Sequence, residues 1–190
     1  MIVSHDHKAV FLHNPKCGGN TIRALLTEYG FEVPEFGDWP KQPGVVDFHR
    51  SIVPSTLSDY LVITSCRHPF PRYVSEWAYG VTHPEHHIYQ QFGPSVSFRT
   101  IALSNRRFHP LQVTYTSVAD IVIRLDDLDE DFHSLPFVKR RHTIPGCNAS
   151  VHQNWRTYYD SELADAVYQK FQEDFDALRY DPDVENCLCR

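Results

Sequence analysis

The sequence carries no excess of positive charge, no long apolar run and no even set of cysteines. Lys and Arg number 18 against 24 Asp and Glu, a formal net charge of −6 with His neutral. That balance argues against a general nucleic-acid coat and confines any anion site to a local cluster. No apolar stretch approaches the ~20 residues needed to cross a bilayer, so no membrane span is expected. No N-terminal stretch joins a basic start to an apolar core, so no signal peptide is read and a cytoplasmic location is expected. The five cysteines, Cys17, Cys66, Cys147, Cys187 and Cys189, are odd in number and irregularly spaced. They argue against a disulfide framework and suit a reducing compartment. With no internal repeat, low-complexity tract or linker, residues 1–190 read as one domain with a real core.

What is there alternates between strand and helix. "KAVFLH" (8–13) reads as a buried strand, and Ile22, Leu25, Leu26 and Tyr29 then recur at helical spacing, with Gly30 able to stop the helix. "YLVITSC" (60–66) is a second strand, rich in β-branched residues. A proline-marked turn leads into a helix with Val74, Trp77, Ala78 and Val81 on one face and Pro71 in its first turn. "DIVIRL" (120–125) is a third strand, and "LQVTYTSV" (111–118) reads as another or as an extended lead into it. A short helix is expected near 97–104. The last helix carries a stripe of Leu163, Ala166, Val167, Phe171, Phe175 and Leu178, capped by Asp160 or Ser161. The alternation predicts an α/β domain with a mainly parallel central sheet between helical layers.

One signature is missing at the first strand–helix junction. "HNPKCGGNT" (13–21) lacks the Gly-Lys-Ser/Thr that closes the usual phosphate loop. Its lysine precedes its glycines. A glycine-bearing turn at a helix N-terminus still presents backbone N–H groups and a partial positive charge to an anion. Gly18 and Gly19 allow close approach, Lys16 adds a full charge, and Asn20 and Thr21 add side-chain donors. Cys17, at a helix N-terminus, has a possible nucleophilic role, but no base is signalled for it. His13 is expected to pack against or orient the loop.

A second cluster follows the second strand. In "CRHPFPRYVSEW" (66–77), Arg67 stands at a strand end, where open α/β sheets bind ligands, and Ser75 lies on the next helix. A planar guanidinium and a hydroxyl can hold one phosphate from two sides. Arg72 is read as support for the same site or as the partner of an acid such as Glu76.

The two segments together resemble the sulfotransferases that use 3′-phosphoadenosine 5′-phosphosulfate (PAPS). "HNPKCGGNT" is similar to their 5′-phosphosulfate loop, and "RHPFPRYVSEW" to their 3′-phosphate segment. "DIVIRLDDLDEDF" and "NASVHQNWRTYYDSELADAVYQKFQEDFDALRYD" resemble the C-terminal half of carbohydrate-type members. Residues 31–47 and 82–118 match nothing recognisable. The resemblance implies a three-layer α/β/α, P-loop NTPase-like sulfotransferase fold without the Mg²⁺ apparatus of the NTPases. It implies PAPS as co-substrate, bound by Lys16, Cys17, Gly18, Gly19, Asn20, Thr21, Arg67 and Ser75, and no metal. Arg140 and Arg141, in the basic run "KRRHTIPGCNAS" (139–150), are implied helpers at the 3′-phosphate. "RRF" (106–108) could instead meet an anionic acceptor.

Sulfuryl transfer needs in-line placement, stabilisation of the leaving phosphate and a base for the acceptor hydroxyl. Lys16 is the expected leaving-group stabiliser. His49, in "VVDFHRSIVPS", resembles the base of carbohydrate-type members in its position ahead of the second strand. Asp47 would orient it or replace it. Trp39 could stack on a sugar or aromatic acceptor, with packing an equal alternative. "HPEHH" (83–87) is too short a run for good metal geometry and reads as a polar loop near the acceptor. The expected acceptor is a small molecule or saccharide. The alternatives are a P-loop kinase or NTPase, in which "DIVIRLDD" would act as the acidic strand, and a non-catalytic nucleotide-binding module.

Overall fold

A computed structural model describes residues 1–33, 53–144 and 150–186. The chain divides into two compact units, each built from two stretches of sequence: Met1–Arg67 with Thr114–Asn148, and His68–Val113 with Ala149–Arg190.

The first unit holds an open, mostly parallel four-stranded sheet. Its strands are β1 (Ile2–Ser4), β2 (Ala9–Leu12), β3 (Leu61–Cys66) and β4 (Ile121–Arg124), adjacent in that order. β1 pairs antiparallel with β2, while β2, β3 and β4 run parallel. The register sets Leu12 opposite Thr64, and Cys66 opposite Arg124. The three parallel strands therefore end at one edge. β1 was not anticipated: at three residues, it is too short to show a period.

Both faces of this sheet are buried, which explains why "AVFL" is apolar throughout rather than alternating. Ala9, Phe11, Ile63 and Ile123 join Ile22, Leu25 and Leu26 of α1 (Gly19–Thr27) in one core cluster. On the other face Val10, Leu12 and Val62 meet Tyr115 and Leu57. α1 ends where expected: Gly30 has φ 72°, and the Phe31 N–H donates back to Leu26 O at 3.3 Å.

The second unit is helical: α2 (Pro69–Gly80), α3 (His87–Phe92), α4 (Phe98–Leu103) and α7 (Ser161–Leu178). Phe70, Tyr73, Phe98, Phe171 and Phe175 form its aromatic core. Trp77 is half-buried against that core and donates to Val96 O at 2.9 Å. Asp160 caps α7 by accepting from Leu163 N–H at 2.9 Å. Pro69 opens α2 behind the cap residue His68, and Pro71 lies in its first turn as expected.

One expectation is overturned. Within "LQVTYTSV" the chain forms a single helical turn, α5 (Val113–Thr116), not a strand. Its β-branched residues favour extension, but the Val113 N–H donates to the buried carboxylate of Asp174 at 3.0 Å. That distant cap overrides local propensity.

Candidate functional site

The site is built at the edge where β2, β3 and β4 end. Two buried hydrogen bonds fix the exit from β2. Thr64 Oγ1 donates to Leu12 O at 2.8 Å, and Asn14 Nδ2 donates to Ser65 O at 2.9 Å. The backbone then turns through Pro15–Gly18 into α1. Lys16 has φ 63° and Gly18 has φ 74°, while Cys17 between them is not among the positive-φ residues. Such alternation of φ sign is what lets successive N–H groups converge on an anion.

α1 begins at Gly19, and Ile22 N–H makes its first bond, 3.1 Å to Gly18 O. Gly18 has no side chain to cap the first-turn N–H groups, and no acidic side chain lies in that turn. The first turn thus offers backbone donors and the positive end of the helix dipole. Lys16 is partly exposed, Asn20 is exposed, and Thr21 is buried.

The two glycines meet different neighbours. A Cβ on Gly18 would overlap Leu125 Cδ1 and would sit on a left-handed backbone. A Cβ on Gly19 would lie 2.5 Å from His13 Cδ2 and 2.8 Å from Cε1. Leu125 directly follows β4 and is held there because Arg124 N–H donates to Asp131 Oδ2 at 2.6 Å, turning the chain towards α6 (Leu128–His133). Leu125 carries no polar signal, so motif reading passed over it. Nothing in "DIVIRL" says that its last residue limits the loop.

Cys17 is not presented to solvent: it is fully buried, and its thiol donates to Pro15 O at 3.4 Å.

Arg67 follows β3 directly and is partly exposed. With β2 and β3 adjacent and parallel, Arg67 and the Lys16 loop leave the sheet at the same edge. Ser75 belongs to the second unit. It is buried on α2, with its Oγ 3.3 Å from Ser150 Oγ.

Arg72 is not a site cation. It is 1% exposed, donates from Nη2 to Pro110 O at 3.1 Å and faces Asp174 Oδ2 at 3.6 Å. One acid beside it is therefore Asp174, while Glu76 lies 2.9 Å from His86 Nε2. His86 in turn accepts from Ile88 N–H through Nδ1 at 3.2 Å, as the cap of α3. That spends both of its ring nitrogens on structure. Among the described residues no group of three or more His, Cys, Asp and Glu is placed to hold a metal ion.

Arg140 is not brought to the loop either. Its Nη2 lies 2.9 Å from Glu28 Oε2, at the far end of α1. From Gly19 to Glu28 the helix rises about 13 Å, which places the pair a helix length from the glycines. Arg141 is paired at 2.9 Å with Asp129 of α6. His49, Asp47 and Trp39 lie outside the described residues.

Compared with known protein families, curated proteins and solved structures, the chain matches none. What stands is the geometry. A strand–loop–helix junction with alternating φ signs, one lysine on the loop and one arginine at the neighbouring strand end is suited to a phosphate- or sulfate-bearing ligand. Among the described residues no helix is long and apolar enough to cross a membrane.

Proposed function

We propose that the protein is a PAPS-dependent sulfotransferase acting on a hydroxyl acceptor, with a saccharide as the favoured class. The observation that carries this reading is the loop itself. Lys16 stands before the glycines at φ 63°, and Arg67 stands on the adjacent strand end. The chain has no Gly-Lys-Ser/Thr to hold Mg²⁺ on a triphosphate, so a donor handled by lysine, arginine and backbone N–H groups suits it better.

In this reading the loop N–H groups and Lys16 hold the 5′-phosphosulfate, with Asn20 at its rim. The acceptor oxygen bonds to sulfur as the bond from sulfur to the phosphate oxygen breaks, and Lys16 offsets the negative charge left on that phosphate. The acceptor proton goes to His49, the proposed base, with Asp47 to orient it. Arg67 takes the 3′-phosphate. Ser75, already engaged with Ser150, is given no part in it. Arg140 and Arg141, paired with Glu28 and Asp129, are given no part in it. A cytoplasmic setting, reducing and rich in nucleotide, suits the buried thiols Cys17 and Cys66.

The test is a screen of labelled PAPS against hydroxyl acceptors, preceded by thermal shift with adenosine 3′,5′-bisphosphate and with ATP. Transfer that survives EDTA and disappears in Lys16→Ala, Arg67→Ala and His49→Ala is expected. A larger shift with ATP, or Mg²⁺-dependent ATP turnover, would replace this reading with a phosphoryl-transfer enzyme. Bisphosphate binding without transfer to any acceptor would leave a binding module. Full turnover in His49→Ala would remove His49 as the base.

A further inference from the structure

We infer that His13 is a positioning residue for the anion loop, acting through Gly19, and that the two glycines are required for different physical reasons. The inference rests on the donor reading above. Three ring atoms of His13, Nε2, Cδ2 and Cε1, lie where a Cβ on Gly19 would have to go. The ring is thus the floor beneath the first residue of α1.

That floor is held from both sides in sequence. Leu12 accepts from Thr64 Oγ1, and Asn14 donates to Ser65 O. His13 lies between these two anchored residues, only 8% exposed, with its ring beside Phe11 at 6.5 Å between centroids. A side chain so placed has few alternative rotamers. Its ring fixes how deeply Gly19 settles, and with it the direction of the first-turn N–H groups.

Gly19 has an ordinary backbone, since it is not among the positive-φ residues. Its requirement is therefore steric and belongs to His13. Gly18 is different: its φ of 74° strains any side chain by about 1–2 kcal/mol whatever Leu125 does. The two positions should respond oppositely to removal of the neighbour.

The experiment is a double-mutant cycle read by affinity for adenosine 3′,5′-bisphosphate. Gly19→Ala and His13→Ala are each expected to weaken binding about tenfold or more, the scale of a small misplacement of binding groups. The double variant is expected to bind at least as tightly as Gly19→Ala alone, because the methyl enters the space the ring vacates. Leu125→Ala is expected not to rescue Gly18→Ala. Losses that simply multiply in the His13/Gly19 pair, or wild-type affinity in His13→Ala, would overturn the inference. If His13→Ala fails to fold, amide chemical shifts of residues 17–20 in His13→Gln decide: displaced shifts support the floor, unchanged shifts overturn it. No binding of the bisphosphate by the wild-type protein would refute the donor reading itself, whereas wild-type binding with multiplying losses would refute the His13 assignment alone.

Discussion

Lys16 supplies charge and curvature together, and two substitutions separate them. At φ 63° it occupies the left-handed region, which costs an L-residue about 1–2 kcal/mol relative to glycine. Alanine at this position keeps that strain and removes the ammonium. Glycine removes both, but adds roughly 0.5–1 kcal/mol of backbone entropy to be lost on folding. Lys16→Gly should therefore be more stable than Lys16→Ala by up to about 1.5 kcal/mol, which is at most roughly 3–6 °C in Tm for a chain of this size. Both variants lose a hydrogen bond to a charged group, worth about 1.5–3 kcal/mol. Both should thus bind adenosine 3′,5′-bisphosphate roughly 10- to 100-fold more weakly. Thermal unfolding without ligand and calorimetric titration with it measure the two effects separately. A Lys16→Gly protein less stable than Lys16→Ala would refute the strain argument. Affinity within about threefold of wild type in either variant would refute the role of the ammonium.

Three further outcomes follow from other parts of the molecule. Asp174→Ala leaves the Arg72 guanidinium buried without its carboxylate; the expected loss is about 3–5 kcal/mol in urea unfolding, and a loss below about 1 kcal/mol would deny the pair its structural role. Arg140→Ala should leave bisphosphate affinity unchanged while Arg67→Ala reduces it, because Arg140 pairs with Glu28 at the opposite end of α1; equal losses in calorimetry would contradict that placement. Burial pushes the Lys170 ammonium down to about 8, from an ordinary value of 10.5. Between those values the folded state binds fewer protons than the unfolded state, so this group makes stability rise with pH across the window. The rise should be absent from the difference between urea midpoints once Lys170→Met replaces it, and an unchanged slope would argue that the ammonium stays fully charged.

Most strands and the main helices were legible because they are long or strongly periodic. β2, β3, β4 and α7 announce themselves through apolar runs or a helical stripe. α5 was not legible, because its stability comes from Asp174, which lies 61 residues away in sequence from Val113. α3 and α6 were not legible, although α4, of the same six-residue length, was expected near 97–104. In the site, the polar residues could be named from spacing, since lysine, arginine and paired glycines are a chemical signal. The residues that hold them in place could not. Leu125 and the Asn14–Ser65 bond act through contact, and contact is set by strand order rather than by local composition. Arg72 shows where spacing leaves a choice open: of the two roles it allows, support for a phosphate or an acid partner, the structure shows a buried cation beside Asp174.

The second motif is divided in a way that its sequence conceals. Arg67 is the last residue of its stretch in the first unit, and Ser75 belongs to the second. Arg67 is therefore positioned by β3 and the sheet. Ser75 is positioned by α2, whose buried anchors are Phe70, Tyr73 and the Arg72–Asp174 pair. The two are therefore separable. Inorganic sulfate, which needs only the loop in the proposed reading, should bind Arg67→Ala as it binds the wild-type protein. Adenosine 3′,5′-bisphosphate, which also needs Arg67 at its 3′-phosphate, should bind Arg67→Ala more weakly, by about tenfold if one charge-assisted hydrogen bond is lost. Ser75 is already engaged with Ser150 Oγ at 3.3 Å, so Ser75→Ala should leave both affinities unchanged. Equal weakening of both ligands in Arg67→Ala would put Arg67 at the loop anion instead, and weaker bisphosphate binding in Ser75→Ala would mean that its hydroxyl takes part in binding.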